Sequence, residues 1–241
     1  MIVAEAQALI RVGHKGADAI VAGNPLASFD AALAGGVDMI EFDVLAERPD
    51  GGGELYVVHD YGELRRHPRS RANGGAPTLA EALAHLASPP FAEVRLQVDL
   101  KRQGYEQRVV DALTASDVVE RSFISTGRWR SLETLRAIAP QLRLGWTISD
   151  PLAISSTPLL SQTAGVVHRA TLPRRTAGRI RSGAIDALVA QWQLITPALV
   201  AAVLGAGGEI YAWTVDDAAQ IRRLAAIGVS GVITNDPRLF S

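Results

Sequence analysis

Apolar positions along the chain follow two alternating rhythms. Short runs rich in β-branched and aliphatic residues, such as MIEFDV at 39–44 and RLQVDL at 95–100, are separated by longer stretches with apolar residues every three or four positions. This alternation predicts parallel strands joined by crossover helices. Strands are expected near residues 8–13, 38–44, 94–100, 121–126, 142–148, 187–191, 209–214 and 231–234. Helices are expected at 26–35, 78–87, 105–114, 129–138, 197–205 and 216–227. The second helix has the clearest start: PTLAEAL places Thr78 at the N-cap and Glu81 three residues on, a capping box. The region 150–184 reads as a possible strand from Gly165 to His168 and a basic helix around Arg174 to Arg181. Eight strands with intervening helices, and no G-x-G-x-x-G after the first, favour a (β/α)8 TIM barrel over an open doubly wound sheet. One domain is expected, spanning 1–241, with a short hairpin excursion after the second strand.

Composition narrows the function class. Lys and Arg total 24 against 25 Asp and Glu, so no net field draws the protein to nucleic acid or an anionic membrane, and a small ligand is expected instead. The absence of cysteine excludes disulfides and thiolate metal sites, and fits a reducing compartment. The first ten residues, MIVAEAQALI, lack a basic start, and no stretch approaches the roughly 18 apolar residues of a membrane span. The expectation is a cytoplasmic protein with no integral membrane segment. Nothing in the pattern speaks to oligomeric state.

The candidate chemistry lies where strands end. Side chains two apart on a strand share a face, so Glu41 and Asp43 stand side by side with Phe42 and Val44 on the other face. Two such carboxylates in a core would cost several kcal/mol per ion unless a cation joined them. At the C-terminal mouth of a barrel they supply half of a hard-metal site suited to Mg²⁺ or Ca²⁺. The turn RPDGGG at 48–53 reverses the chain and brings His59, in LYVVHD, back toward them. GHKG at 13–16 sets His14 and Lys15 at the mouth, and RLQVDLK puts Gln97, Asp99 and Lys101 on one face. Asp99 and Lys101 could also pair with each other or with Arg95 and Arg102. Two imidazoles, three carboxylates and two ammonium groups suit displacement at phosphorus: cations offset phosphoryl charge, and histidines move protons. Trp213 either lines the pocket or packs a barrel end. His67, His85 and His168 read as structural or exposed, and Arg65, Arg66, Arg69 and Arg71 as a solvated loop face.

These motifs in order resemble the glycerophosphodiester phosphodiesterase family: HKG at 14–16, EFDV at 41–44, HD at 59–60, DLK at 99–101, WTV at 213–215 and GVITNDP at 231–237. The resemblance implies a metal-dependent barrel enzyme that hydrolyses glycerophosphodiesters to glycerol 3-phosphate and an alcohol. By it His14 and His59 are the acid and base pair, Glu41, Asp43 and Asp99 hold the metal, and Lys101 contacts phosphate. Three positions depart from the family pattern. Lys15 replaces an arginine, keeping charge but losing a bidentate fork; Asp99 replaces a glutamate; and AGNP at 22–25 stands where P-E-N-T is usual. The rival readings are a lysophospholipid- or phosphoinositide-cleaving phosphodiesterase on the same framework, and a catalytically silent phosphate-ester binding protein.

Overall fold

In the computed structural model, which describes residues 8–22, 26–66, 75–149 and 158–241, every expected barrel strand is present with ends within two residues of expectation. They are β1 (Ile10–Gly13), β2 (Met39–Ala46), β4 (Arg95–Leu100), β5 (Ser122–Thr126), β6 (Arg143–Ile148), β7 (Ala187–Gln191), β8 (Glu209–Trp213) and β9 (Gly231–Thr234). All pair in parallel in the order β1-β9-β8-β7-β6-β5-β4-β2, and a β1–β2 pairing closes the ring into a (β/α)8 TIM barrel. A two-stranded excursion adds β3 (Leu55–Tyr56), antiparallel to β2.

The helices are α1 (Leu26–Ala34), α2 (Tyr61–Arg66), α3 (Leu79–Leu86), α4 (Glu106–Ala115), α5 (Trp129–Ile138), α6 (Pro158–Arg181), α7 (Pro197–Leu204) and α8 (Ala218–Ala226). The capping box on α3 forms as read: Glu81 N–H donates to Thr78 Oγ1 at 3.1 Å, and Thr78 N–H donates to Glu81 Oε2 at 2.8 Å. The strand expected at Gly165–His168 is instead part of α6. The β-branched pair Val166–Val167 suggested extension, but local propensity is weak, and the crossover from β6 to β7 takes a helix. Arg65 and Arg66, expected in a loop, end α2, where both are exposed. His67, Arg69, Arg71 and residues 23–25 of AGNP lie outside the described residues. No helix among the described residues is long and apolar enough to cross a membrane.

Strand alternation sorts side chains into two cores. Ile40, Phe42 and Val44 of β2, with Leu96, Val98 and Leu100 of β4, point outward into the layer under the helices. Ile10, Val12, Met39, Phe123, Ala187, Val189, Tyr211 and Ile233 fill the barrel interior as an apolar floor. Above that floor the inward positions turn polar: Glu41, Asp43, Gln97, Asp99 and Ser125 are all buried. The barrel thus carries its charge at the C-terminal end of the strands, where (β/α)8 active sites sit.

Candidate active site

A pocket of about 310 Å³ opens at this end, lined among others by His14, Lys15, Glu41, His59, Asp99, Lys101 and Trp213. Of the candidate residues only Asp43 is absent from the lining; it is fully buried and reaches the pocket through the lysines.

The turn after β1 is built to be tight. A Cβ on Gly13 would lie 2.1 Å from the Gly16 carbonyl oxygen, and one on Gly16 would lie 2.6 Å from the Ser28 backbone. Between them Lys15 takes a left-handed conformation with φ 49°, the sort of strain that tends to collect at functional sites. Ser28 of α1 holds the turn: its hydroxyl donates to Lys15 O at 2.7 Å and accepts from Ala17 N–H at 2.8 Å. The Lys15 N–H donates to Glu41 Oε2 at 3.0 Å, which ties the turn to β2.

Strand register assembles the carboxylates. Glu41 lies beside Gln97 and Asp43 beside Asp99 across the β2–β4 pairing. Lys101 Nζ stands between the aspartates, 2.5 Å from Asp43 Oδ1 and 2.8 Å from Asp99 Oδ2, and Lys15 Nζ is 3.8 Å from Asp43 Oδ2. Asp99 Oδ1 also accepts the Ser125 hydroxyl at 2.6 Å and the Thr147 hydroxyl at 3.1 Å. Burial works to raise the Asp43 carboxyl, but the Lys101 ammonium outweighs it and holds Asp43 below its ordinary value. Burial works to lower the Lys101 ammonium, and Asp99, Asp43 and Glu41 together push it up instead. Glu41 is pushed well above the ordinary range, first by burial and then by the charge of Asp43.

The two histidines sit differently. His14 follows β1, with its N–H donating to Thr234 O at 2.8 Å, its Nδ1 2.6 Å from Asn235 Oδ1 and its Nε2 3.9 Å from Glu41 Oε2. Burial pushes its imidazole down. His59 is half exposed at the rim and does not end a strand as expected, because β3 stops at Tyr56. It is held by the start of α2 instead. Asp60 accepts from Glu63 N–H at 2.8 Å, Glu63 Oε2 accepts from His59 N–H at 2.8 Å, and His59 Nδ1 lies 3.3 Å from Asp60 Oδ2. The Glu63 N–H, then His59, pull the Asp60 carboxyl down to about 2. The hairpin that carries this segment is clamped by Arg108, which donates to Gly51 O at 2.8 Å and Gly53 O at 2.6 Å.

Trp213 both packs and lines: its indole N–H donates to Val189 O at 3.1 Å, and it rests on the apolar floor beside the pocket. His85, away from this site, pairs with Asp30 at 2.8 Å. Sequence reasoning passed over Ser28, Ser125, Thr147, Asp216 and Asn235 as site residues. For Gln97 it gave only the shared face: the amide donates to Ser125 Oγ at 3.1 Å, and its buried Oε1 has no hydrogen-bond partner among the described residues.

The donor set has the chemistry of a hard-cation site. Glu41, Asp43 and Asp99 offer carboxylate oxygens, and the raised Glu41 marks a group short of positive charge. Among the described residues no three acidic or imidazole side chains converge ready for a metal ion, since Lys101 stands between the two aspartates.

A family model for the glycerophosphoryl diester phosphodiesterase family matches residues 58–239. The chain is similar to a glycerophosphodiester phosphodiesterase of Caldanaerobacter subterraneus subsp. tengcongensis, with 26% identity over 252 residues, covering 94% of this chain and 93% of that protein. Its fold is similar to that of a glycerophosphodiester phosphodiesterase from Thermotoga maritima, with TM-score 0.71 and 19% identity over 97% of each chain. It is also similar to an Oleispira antarctica phosphodiesterase solved with the product sn-glycerol-3-phosphate, with TM-score 0.66 and 18% identity over 95% of this chain and 93% of that one. With the family match spanning well over half its length, the chain belongs to the glycerophosphoryl diester phosphodiesterase family and is a phosphoric diester hydrolase.

Proposed function

We propose that this chain, acting as one barrel domain in the cytoplasm, hydrolyses glycerophosphodiesters to glycerol 3-phosphate and an alcohol with the help of a divalent cation. The observation that carries this reading is one pocket at the barrel mouth lined by two histidines, two lysines and carboxylates from neighbouring strands. A cytoplasmic setting is supported by the cysteine-free sequence.

Glu41, Asp43 and Asp99 are the residues that would hold a cation, Mg²⁺ or Ca²⁺, which when bound supplies charge for phosphoryl oxygens and orients the glycerol. Lys15 and Lys101 place two ammonium groups against the same oxygens and offset the charge that develops there. His14, deep in the pocket, and His59, at its rim, move the protons: one accepts from the attacking hydroxyl while the other donates to the leaving alkoxide. Trp213 and the apolar residues beneath it exclude water from the pocket's inner wall.

The test is release of glycerol 3-phosphate from a panel of glycerophosphodiesters by purified protein, in EDTA and then with Mg²⁺, Mn²⁺ or Ca²⁺ restored. Turnover that returns with a metal is expected. Folded protein that turns over no substrate with any metal would overturn the reading in favour of lipid cleavage or binding alone.

A further inference from the structure

The C-terminal ends of β1 and β9 are neighbours: Gly13 is paired with Thr234, so the next residues on each strand, His14 and Asn235, stand side by side. His14 Nδ1 lies 2.6 Å from Asn235 Oδ1. The far side of the same amide meets Asp216, whose Oδ2 accepts from Asn235 Nδ2 at 2.6 Å. Asp216 is itself held in place, because its Oδ1 accepts from the Asn235 N–H at 2.8 Å and from the Thr234 hydroxyl at 3.0 Å.

These partners settle the direction of every hydrogen bond. A carboxylate only accepts, so the amide atom facing Asp216 must be the NH₂ group and the one facing His14 must be the carbonyl oxygen. An amide oxygen also only accepts, so the proton of a neutral His14 must sit on Nδ1. That leaves the lone pair on Nε2, the nitrogen 3.9 Å from Glu41 Oε2 in the pocket wall.

We infer that Asn235 and Asp216 are positioning residues that fix His14 as its Nδ1–H tautomer, which presents Nε2 to the pocket as a ready proton acceptor. The inference rests on the proposed function for the identity of the reaction, but not for the tautomer. In the step, Nε2 takes a proton from the attacking hydroxyl and the ring becomes an imidazolium. The Nδ1 proton stays where it is, bonded to Asn235 Oδ1, because an amide oxygen is not a base that can remove it. The arrangement assigns His14 as the base of the first proton transfer and leaves the rim residue His59 to act as acid. A histidine side chain in water modestly favours the Nε2–H tautomer, so without Asn235 the ring would lose the Nδ1–H preference or flip.

The test reads the tautomer directly. Ring ¹⁵N shifts of His14, assigned by comparison with His14→Gln and recorded without substrate on the neutral ring, should show a protonated Nδ1 and a bare Nε2. Asn235→Ala should convert most of the population to the Nε2–H form and lower kcat about 10²-fold with little change in KM. Asn235→Asp combined with Asp216→Asn, which keeps an acceptor against Nδ1 and a donor between the two side chains, should hold the tautomer and recover most of kcat. Asp216→Ala reaches the same amide from an exposed position, and should shift the tautomer partway in a protein that folds normally. A wild-type ring protonated on Nε2, or a tautomer unmoved by both Asn235→Ala and Asp216→Ala, would overturn the inference. Full turnover by His14→Gln would instead refute the catalytic role given to His14 above, whatever the tautomer measurement shows.

Discussion

Lys101 is the side chain whose loss should weigh most on the metal-free protein. Its ammonium lies 2.5 Å from Asp43 and 2.8 Å from Asp99, and Asp43 is fully buried. Lys101→Met keeps the apolar stem of the side chain and removes the ammonium, with its charge and its donors. Lys15 then remains beside Asp43, at 3.8 Å. Removing one partner of a buried ion pair costs about 3–5 kcal/mol, and the lower end applies here because the Lys101 head borders the pocket, where water can replace it. For a chain of 241 residues, at about 2.1 cal/mol/K per residue, the unfolding entropy is about 0.5 kcal/mol/K. A loss of about 3 kcal/mol therefore lowers Tm by about 6 °C. Differential scanning calorimetry in EDTA at neutral pH measures this. A second arm adds Mg²⁺ or Ca²⁺, which should restore more stability to the variant than to the wild type, because the carboxylates regain the charge that Lys101 supplied. A Tm within about 1 °C of wild type in EDTA would refute the claim that Lys101 offsets the buried charge of Asp43.

Glu41 predicts the pH dependence. Its folded value is raised, so the native state keeps a proton that the unfolded chain releases, and stability falls as pH rises from the ordinary glutamate value of 4.5 through the raised one. In EDTA, Glu41→Gln should flatten that fall and melt higher than wild type on the alkaline side while losing turnover; melts across a pH series with the wild-type slope would refute this. Ser28→Ala removes a hydroxyl that donates to Lys15 O and accepts from Ala17 N–H in a fully buried setting. It should cost about 2 kcal/mol in denaturant melts and raise KM as the Lys15 turn loosens, and an unchanged KM would show that the turn holds its shape without Ser28.

The barrel was legible because the strand pattern of alternating faces and the helix pattern of three-to-four spacing do not overlap in this chain, and each strand is bounded by turn residues. The same alternation correctly put Glu41 with Asp43, and Gln97 with Asp99 and Lys101. It could not say which residue of β2 lies beside which of β4, since parallel register is set by closure of the whole ring rather than by a local turn. The fate of Asp99 and Lys101 depended on that register. They do pair, and Asp43 joins them because it lies directly across from Asp99. At His59 the sequence held a signal that went unread. Asp60 with Glu63 three residues on is an N-cap pattern, and it marks the start of α2 and the end of the strand reading. The partners of His14 left no local trace, for Asn235 is 221 positions away and meets it only when β9 closes against β1.

The three carboxylates, though alike in the sequence, are in unlike states, and the difference follows from what each strand brings. Asp43, the deepest, has both lysines; Asp99 has Lys101 and two hydroxyls; Glu41 has one backbone N–H and a histidine 3.9 Å away. Repulsion within the group therefore falls on Glu41, whose proton is the one most easily exchanged for a cation. The site matches its surroundings least there, and a stable fold gains nothing from an inward glutamate held by a backbone N–H and a distant imidazole above an apolar floor. Replacing Glu41 should for that reason improve the metal-free fold and damage the enzyme, the opposite signs expected where a residue is kept for chemistry at the expense of stability.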